Sequence, residues 1–246
     1  MGHYLSHLIE PFLAANKSQI AKQNPQLRST QGLGDWLDAQ EPEQTRHLPE
    51  LNYLVIDIET SGFNPTTNAL LSIGFVPINH GRINLAKAQH YYISDALKVS
   101  ANSAVINHIV PQMLTERKPL KEVLEIFFEE LKICVPIAHG CWMEQQFLAH
   151  YTHQLWGLKK LPLKWLDTLK IEKARIENGC VPHNQDVRLS SIRRRYQLPD
   201  YQAHNALFDA IATAELFLVL TRSIYGDSQP TLQEFYRYQQ KAKSNL

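Results

Sequence analysis

The stretch that decides the fold is "VIDIETSGFNP", residues 55–65, in which two acidic residues stand at the end of an apolar run. The preceding "YLVIDIE" at 53–59 is short and rich in β-branched residues, so it predicts a strand buried on both faces. Side chains two residues apart on a strand project from the same face. The carboxylates of Asp57 and Glu59 are therefore predicted to lie side by side.

Two neighbouring carboxylates repel each other by about 1 kcal/mol at 4 Å in water, and by several times more at lower dielectric. A cation bound between Asp57 and Glu59 would remove this cost, and carboxylate oxygens suit hard ions such as Mg²⁺ or Mn²⁺. The alternative is an ordinary strand end whose acids face solvent. The D-x-E pattern alone leaves both interpretations open.

A second candidate pair lies in "HNALFDAIATAE", residues 204–215. On one continuous helix, His204 and Asp209 would be about 140° apart and could not share a face. They meet if His204 lies in the loop before the helix, Asn205 is the N-cap and Asp209 falls in the first turn. A loop histidine beside such an aspartate suits a base and a metal ligand; a capping loop with a surface histidine is the alternative.

The rest of the pattern predicts strands followed by helices that alternate with strands. Segments 69–79 and 83–94 flank His80-Gly81 and predict a hairpin that extends the sheet. Residues 119–132 predict an amphipathic helix, and "ICVPIAH" at 133–139 predicts a second buried strand. Together these segments predict an α/β fold built on a mixed sheet.

Three parts of the chain are expected from its composition. Residues 1–46 are predicted to be a loosely built, mainly helical extension that ends in a linker, because they mix apolar helical spacing with prolines. Residues 47–225 form the main domain, and 226–246 form a C-terminal helix. The sequence leaves open whether the extension packs on the domain, supports a homodimer or contacts a partner.

The overall composition excludes several classes of protein. The chain has 246 residues with a formal net charge of +1, so any surface that binds nucleic acid must be local. Its three cysteines include no C-x-x-C pair, which argues against a disulfide framework and favours a reducing compartment. The sequence shows neither a signal peptide nor a membrane-spanning apolar run, so we expect a soluble, cytoplasmic protein.

Two motifs in order carry a resemblance to a known family. "DIETSGFNP" at 57–65 matches D-x-E-T-(T/S)-G-(L/F)-x-P, and residues 204–210 match H-x-x-x-x-D-A. Between them, "WLDTLKIEKAR" at 165–175 resembles a "DTL" segment. Over about 50–222 the chain thus resembles the DEDDh 3′→5′ exonucleases, the group that includes the bacterial proofreading subunit, ribonuclease T and oligoribonuclease.

The resemblance implies a ribonuclease H-like, mixed five-stranded sheet flanked by helices. It also implies removal of nucleoside monophosphates from 3′ ends of single-stranded DNA or RNA, with DNA favoured, by means of two divalent cations, Mg²⁺ or Mn²⁺. Asp57, Glu59, Glu144 and Asp209 would be the metal ligands, and Glu59 would also take part in catalysis by holding the terminal 3′-OH. His204 would be the general base for the attacking water.

The second motif of the family departs from its usual form here. The pattern A-H-N-A-x-F-D-x-x-F-L becomes "AHGCWMEQQFL" at 138–148, with Gly140 in the Asn position and Glu144 in the Asp position. Glutamate is one methylene longer, yet it still binds hard cations. The alternative is a weakened module that keeps the fold and binds nucleic-acid ends or a protein partner.

Family resemblance also suggests substrate contacts. Thr60 and Phe63 follow the first motif, where the family seats the final nucleotide, and His108 lies in "AVINHIV" at 104–110, near the position of an active-site turn. Phe63 could stack on the terminal base or pack in the core, and Trp142 is expected in the core. The N-terminal extension is the candidate surface for a homodimer or a replication or repair partner.

Overall fold

The computed structural model describes residues 17–94, 117–202 and 204–242, and a seven-stranded mixed sheet lies at the centre of this part of the chain. The strands are β1 (Asn52–Thr60), β2 (Leu70–Asn79), β3 (Arg82–Ile83), β4 (Gln89–Ile93), β5 (Arg117–Lys118), β6 (Cys134–Ala138) and β7 (Leu166–Asp167). Their order is β5-β4-β2-β1-β6-β7, and β3 pairs with β2. Because β1 is parallel to β6, and β6 to β7, their carboxyl ends share one edge of the sheet.

Helices cover both faces of the sheet. In chain order they are α1 (Lys17–Gln23), α2 (Leu33–Asp38), α3 (Leu120–Leu131), α4 (Trp142–Trp156), α5 (Thr168–Glu177), α6 (Leu189–Arg195), α7 (Ala206–Tyr225) and α8 (Leu232–Gln239). One apolar core joins the sheet to α1–α4, and a second joins its other face to α5–α8. The predicted α/β fold with a central mixed sheet is confirmed.

Strand β1 contributes alternate side chains to the two cores. Leu54 and Ile56 belong to the core on the α3 side, whereas Tyr53 and Val55 belong to the core on the α7 side. Burial on both faces explains why the strand is an almost continuous apolar run. The alternation places Asp57 and the residue two positions later on the face that carries α7.

The sheet differs in detail from the five strands that were predicted. The additional strands β3 and β5 contain two residues each, too few for an alternating pattern to reveal them. The predicted turn is present, with positive φ angles of 50° at His80 and 70° at Gly81. However, a 3₁₀ turn at Leu85–Lys87 interrupts the returning segment, so β4 begins only at Gln89.

The described part of the N-terminal extension packs tightly, and the expectation of a loosely built segment is wrong. Trp36 is buried, with its ring centroid 5.2 Å from that of Phe128 on α3. A Cβ on Gly34 would come within 2.5 Å of the carbonyl oxygen of Arg28, so close backbone contact requires glycine there. Helices α1 and α2 are too short for an apolar face to be recognised in the sequence.

The segment before β1 also bonds to the C-terminal segment. The backbone N–H of Leu232 donates to Arg46 (3.0 Å), and that of Leu48 donates to Pro230 (3.0 Å). The Gln239 side chain donates to the carbonyl of Trp165 at the edge of β7 (2.9 Å). Both ends of the described chain are therefore tied to the sheet. None of the helices in residues 17–94, 117–202 and 204–242 has the length and apolarity to cross a membrane.

Candidate active site

Acidic side chains from β1 and α7 meet at the carboxyl end of β1. Among the described residues, Asp57, Glu59 and Asp209 each offer a carboxylate oxygen, and these oxygens all lie within 4.8 Å of one another. Strand alternation supplies the first two acids, and α7 crosses the neighbouring strand β2 to supply the third. The structure thus brings together three of the four predicted metal ligands.

Gly74 on β2 allows α7 to approach this closely. It pairs directly with Asp57 across the sheet, and a Cβ at Gly74 would lie 2.3 Å from backbone atoms of both Ala206 and Leu207. The first turn of α7 therefore rests on the strand only because this residue is glycine. Sequence reasoning missed Gly74, although an isolated glycine inside a strand pattern is a signal of close backbone approach.

The start of α7 has the arrangement that the sequence predicted. Asn205 is the N-cap, and its side-chain oxygen accepts a hydrogen bond from the Phe208 backbone (3.1 Å). Asp209 lies in the first turn and accepts a hydrogen bond from the backbone N–H of His204 (2.9 Å). His204 is an exposed loop residue with φ of 66°. Its imidazole is thus free to face solvent beside the acidic group.

Glu144 occupies the first turn of α4 and is buried. It is not a member of the group of three acids within 4.8 Å of one another. Its charge nevertheless acts on Asp57 directly, because it is the first charged group after burial among the causes that raise the pKa of Asp57. In the described structure, the Oε2 atom of Glu144 has no hydrogen-bond partner, an unusual state for a buried carboxylate oxygen.

Asp167 at the end of β7 fixes the start of α4. Its buried carboxylate accepts hydrogen bonds from the backbone N–H groups of Gly140 (2.8 Å) and Cys141 (3.3 Å), just before α4. It also caps α5 by accepting from Leu169 (3.0 Å). Gly140 has φ of 75°, which glycine tolerates best. An aspartate before a helical run is a capping signal, but nothing in the sequence indicates that it also serves α4.

His139, which precedes this turn, is held at both ring nitrogens. Nδ1 lies 2.8 Å from the Thr168 hydroxyl, and Nε2 lies 3.1 Å from the Val187 carbonyl oxygen. Burial lowers the pKa of His139, which favours the neutral ring. These contacts give His139 a structural role and leave neither nitrogen free to bind a cation.

Burial raises the pKa values of all four acids. Burial is the largest cause at each position: it raises the pKa of Asp57 well above its ordinary value, that of Glu59 to about 7 and that of Glu144 to about 8. Repulsion adds to the shift, from Asp209 at Glu59 and from three acids at Asp57. The pKa of Asp209 is raised less, because the backbone N–H groups of its own loop stabilise the anion.

These residues fit a divalent cation. All the donors are carboxylate oxygens, which hard ions such as Mg²⁺ and Mn²⁺ prefer. Like charges held at such distances are costly without a counterion, and the unpaired buried oxygen of Glu144 has no other partner in the described structure. The family of this chain generally uses divalent cations, and Asp57, Glu59 and Asp209 together have the donor atoms to hold one.

Two of the predicted substrate residues lie at the end of β1 and in the segment after it, and the third falls outside the described residues. The Thr60 hydroxyl donates to the Gly62 carbonyl (2.8 Å), and Phe63 is 77% exposed, so it does not pack in the core. Trp142 is 49% exposed, and its expected core position is wrong, because it begins α4 on the solvent side. His108 lies outside the described residues.

Residues 54–217 match a family model described as "Exonuclease", and the chain belongs to this family. The relationship to DEDDh-type 3′→5′ exonucleases that the motifs predicted is confirmed. The matched residues include every predicted metal ligand, from Asp57 to Asp209. Family membership accounts for two motifs that lie far apart in the sequence and close together in the structure.

Curated relatives include a DNA polymerase III PolC-type of Thermotoga petrophila, 29% identical over 170 residues, and the 3′-5′ exonuclease DinG of Bacillus subtilis, 27% identical over 195 residues. These alignments cover 68% and 79% of this chain, but only 12% and 20% of those proteins. The chain therefore corresponds to a small part of each relative.

Solved structures show the same fold at low sequence identity. The nuclease domain of 3′hExo, a DEDDh family member bound to rAMP, has a TM-score of 0.57 at 18% identity, covering 73% of this chain and 95% of that one. Exonuclease X in complex with 5′ overhanging duplex DNA has a TM-score of 0.53 at 18% identity, covering 75% and 99%. The fold of this chain is therefore the ribonuclease H-like exonuclease fold.

Proposed function

We propose that this protein is a metal-dependent 3′→5′ exonuclease that removes nucleoside monophosphates from 3′ ends, with DNA preferred over RNA. The observation that carries the proposal is the meeting of Asp57, Glu59 and Asp209 within 4.8 Å. Glu144 acts on Asp57 by its charge, and its Oε2 atom has no hydrogen-bond partner in the described structure. The names of the relatives support the direction of hydrolysis and the choice of DNA. The neighbour bound to rAMP makes RNA the alternative substrate.

The four acids would hold two cations, Mg²⁺ or Mn²⁺. The charges of all three other acids raise the pKa of Asp57, and this residue would contact both cations. Glu59 and Asp209 would complete the first cation site, and Glu144 would complete the second. When bound, the cations supply positive charge that offsets the negative charge developing on the scissile phosphate. The carboxylates would keep that charge in place, because they project from one strand and from the first turns of two helices.

His204 is proposed as the general base. It lies in the loop beside Asp209, and the hydrogen bond from its backbone N–H to that carboxylate fixes the loop. Its ring is exposed, so it can accept the proton of the attacking water and pass it to solvent. Separate backbone and ring functions let the same residue support the acidic group and move a proton.

The terminal nucleotide is proposed to sit between the end of β1 and the acidic group. Glu59 would accept a hydrogen bond from the terminal 3′-OH, and the turn that the Thr60 hydroxyl stabilises would support the sugar. The exposed ring of Phe63 would stack on the terminal base, a contact that accepts every base. We also propose a contact from His108.

A labelled strand tests the proposal. A single-stranded DNA carrying a 3′-terminal label is incubated with the protein and Mg²⁺ or Mn²⁺, with and without excess chelator. We expect prompt release of labelled mononucleotide that the chelator abolishes and that Asp57→Asn lacks. Release that persists in chelator, or no release with either cation, would contradict the proposal.

Substrate choice requires a panel under a single metal condition. Single-stranded DNA, blunt duplex DNA and a short RNA of matched sequence are compared by kcat/KM. We expect single-stranded DNA to be the best substrate. A higher kcat/KM for RNA would overturn the DNA preference while leaving the exonuclease activity intact, because discrimination depends on contacts to the 2′-OH.

A further inference from the structure

Two aromatic side chains remain exposed at the start of α7, outside the set of substrate residues proposed above. Tyr201 is 39% exposed and Phe208 is 41% exposed. Their rings are nearly parallel, with an interplanar angle of 11° and centroids 6.4 Å apart. The two residues therefore present a stepped, flat aromatic surface, which we call the Tyr201–Phe208 platform.

Polar contacts to Glu215 and to the buried Arg193 hold Tyr201 in place. The Tyr201 hydroxyl donates to Glu215 Oε1 (2.8 Å), and the Arg193 guanidinium lies 4.9 Å from the centroid of the Tyr201 ring. Arg193 is itself buried and donates to Glu215 Oε2 (2.7 Å) and to the Pro199 carbonyl (2.8 Å). A ring fixed in this way loses little conformational entropy when a ligand stacks on its open face.

The platform adjoins the candidate active site along the chain. Phe208 directly precedes the acidic ligand Asp209, and its backbone N–H is the group that Asn205 caps. Tyr201 lies three residues before His204, on the segment that leads into the same loop. The platform lies at the start of α7 and on the segment before it, whereas Phe63 follows the end of β1. A strand whose terminal base contacts Phe63 would meet the platform with another of its bases.

The exposed apolar side chains of the described residues separate by type. The aromatic ones adjoin site residues in the sequence: Phe63, Trp142, Tyr201 and Phe208. The aliphatic ones lie elsewhere: Leu85 and Ile133 at the opposite edge of the sheet, and Leu155 near the end of α4. Exposed flat rings beside the candidate site offer nucleobases a stacking surface that accepts every base.

We propose that the Tyr201–Phe208 platform binds a nucleobase of a single strand on the 5′ side of the scissile phosphate. The inference rests on the proposed function for the identity of the ligand. The stacking surface is open to any base, and the positive charge of Arg193 behind Tyr201 is partly offset by Glu215. The platform therefore contributes affinity for strands longer than the terminal nucleotide without selecting a sequence.

Equilibrium binding tests the platform without requiring hydrolysis. The dissociation constant of a fluorescein-labelled 12-nucleotide single strand is measured by anisotropy in excess chelator, for wild type, Tyr201→Leu, Phe208→Leu and Tyr201→Phe. Leu85→Ala is the matched control, an exposed apolar residue at the other edge of the sheet. Circular dichroism and thermal melting show which variants are folded before binding is compared.

We expect Tyr201→Leu and Phe208→Leu each to weaken binding roughly tenfold, as the loss of one stacked base does. Tyr201→Phe keeps the ring and should bind within about twofold of wild type, as should Leu85→Ala. Wild-type affinity in both leucine variants, or no binding of the strand by wild type, overturns the platform. Phe208→Leu breaks no side-chain hydrogen bond of the described structure, so it stays informative if Tyr201→Leu fails to fold.

The length dependence of cleavage separates the platform from the proposed function. Within each protein, KM is compared for a dinucleotide and for the 12-nucleotide strand. We expect wild type to favour the longer strand and the leucine variants to lose most of that preference. Strand binding without hydrolysis would contradict the exonuclease activity and leave the platform standing. Hydrolysis with an unchanged length preference in the leucine variants would support the exonuclease activity and contradict the platform.

Discussion

The acids of β1 and the acid of α4 are positioned by different physical routes. Asp57 and Glu59 are placed by one strand, whose alternation alone sets both side chains on one face. Glu144 depends on a residue from another strand, because Asp167 binds the backbone turn from which α4 starts. The positions of the β1 acids are therefore set locally, whereas the position of Glu144 depends on a residue distant in sequence.

Asp209 lies between these two cases. Its own helix start places it, through Asn205 and the backbone of His204. The helix start in turn reaches the sheet only because Gly74 has no side chain. The site therefore combines local geometry with two long-range requirements, and substitutions at each level should have effects of different size.

The largest effect is expected for Asp57→Asn, which removes the acid that the other three surround. We expect kcat to fall by at least about 1,000-fold, because charge stabilisation of several kcal/mol is lost. The metal-free variant should melt a few degrees higher than wild type, because burial and repulsion destabilise the wild-type anion. Steady-state kinetics and melting in chelator measure both, with the exposed Asp227→Asn as control. Turnover by Asp57→Asn at the wild-type rate would show that Asp57 is not required for catalysis.

His204→Ala tests a residue whose backbone and ring have separate functions. We expect kcat to fall by about 10²–10⁴-fold, the usual loss for a general base. The backbone hydrogen bond to Asp209 survives the change, so Mn²⁺ should still raise the melting temperature. The control is His153→Ala, an exposed histidine on α4. Full activity of His204→Ala would show that His204 is not the general base. A loss of stabilisation by Mn²⁺ would show that its ring supports the metal site.

Glu144→Asp tests how strictly α4 positions its acid. The start of the helix is fixed, so an acid shorter by one methylene leaves its oxygens about 1.5 Å short of the position they now occupy. We expect kcat to fall by about 10–100-fold, since misplacement of about 1 Å has costs of this order. Glu59→Asp is the matched variant on β1, because it shortens a glutamate side chain by the same one methylene. Equal or faster turnover by Glu144→Asp would show that α4 can move to compensate.

Asp167→Asn alters the support of Glu144 and the N-cap of α5 while leaving the four acids unchanged. The amide can accept fewer of the backbone N–H groups, so we expect a stability loss of about 1–3 kcal/mol and a roughly tenfold fall in kcat. Urea unfolding and steady-state kinetics measure the two effects. Thr231→Ala removes the N-cap of α8 and should cost about 1 kcal/mol of stability without changing kcat. A similar kcat loss in both variants would contradict a specific role for Asp167.

The smallest effect concerns His90, which lies in the same sheet row as Asp57 and Gly74. Burial lowers the pKa of His90 to about 4, so below about pH 6.5 the unfolded chain binds a proton more readily than the folded one. Its contribution to stability is therefore full above that pH and is lost as the pH falls towards 4. His90→Gln should lose less unfolding free energy than wild type between pH 7 and pH 5, measured in urea. Equal losses of unfolding free energy in wild type and His90→Gln would show that His90 does not cause this pH dependence.

Much of the fold and half of the site are predictable from the sequence because they depend on local patterns. The strand at 53–59, the N-cap Asn205 and the first-turn Asp209 follow from periodicity and capping. Gly74 and Asp167 act through contacts between elements distant in sequence, which a single sequence does not display. The two-residue strands are set by sheet geometry, and exposure of Trp142 by the solvent-facing start of its helix.

The central claim is that four carboxylates from three elements form a single site for two cations. Counting Mn²⁺ ions tests it most directly, by titration calorimetry with excess thymidine 5′-monophosphate for wild type and Glu144→Gln. We expect two ions in wild type and one in Glu144→Gln, whose neutral amide is a poorer ligand. A single ion in wild type, or two of unchanged affinity in Glu144→Gln, would contradict it.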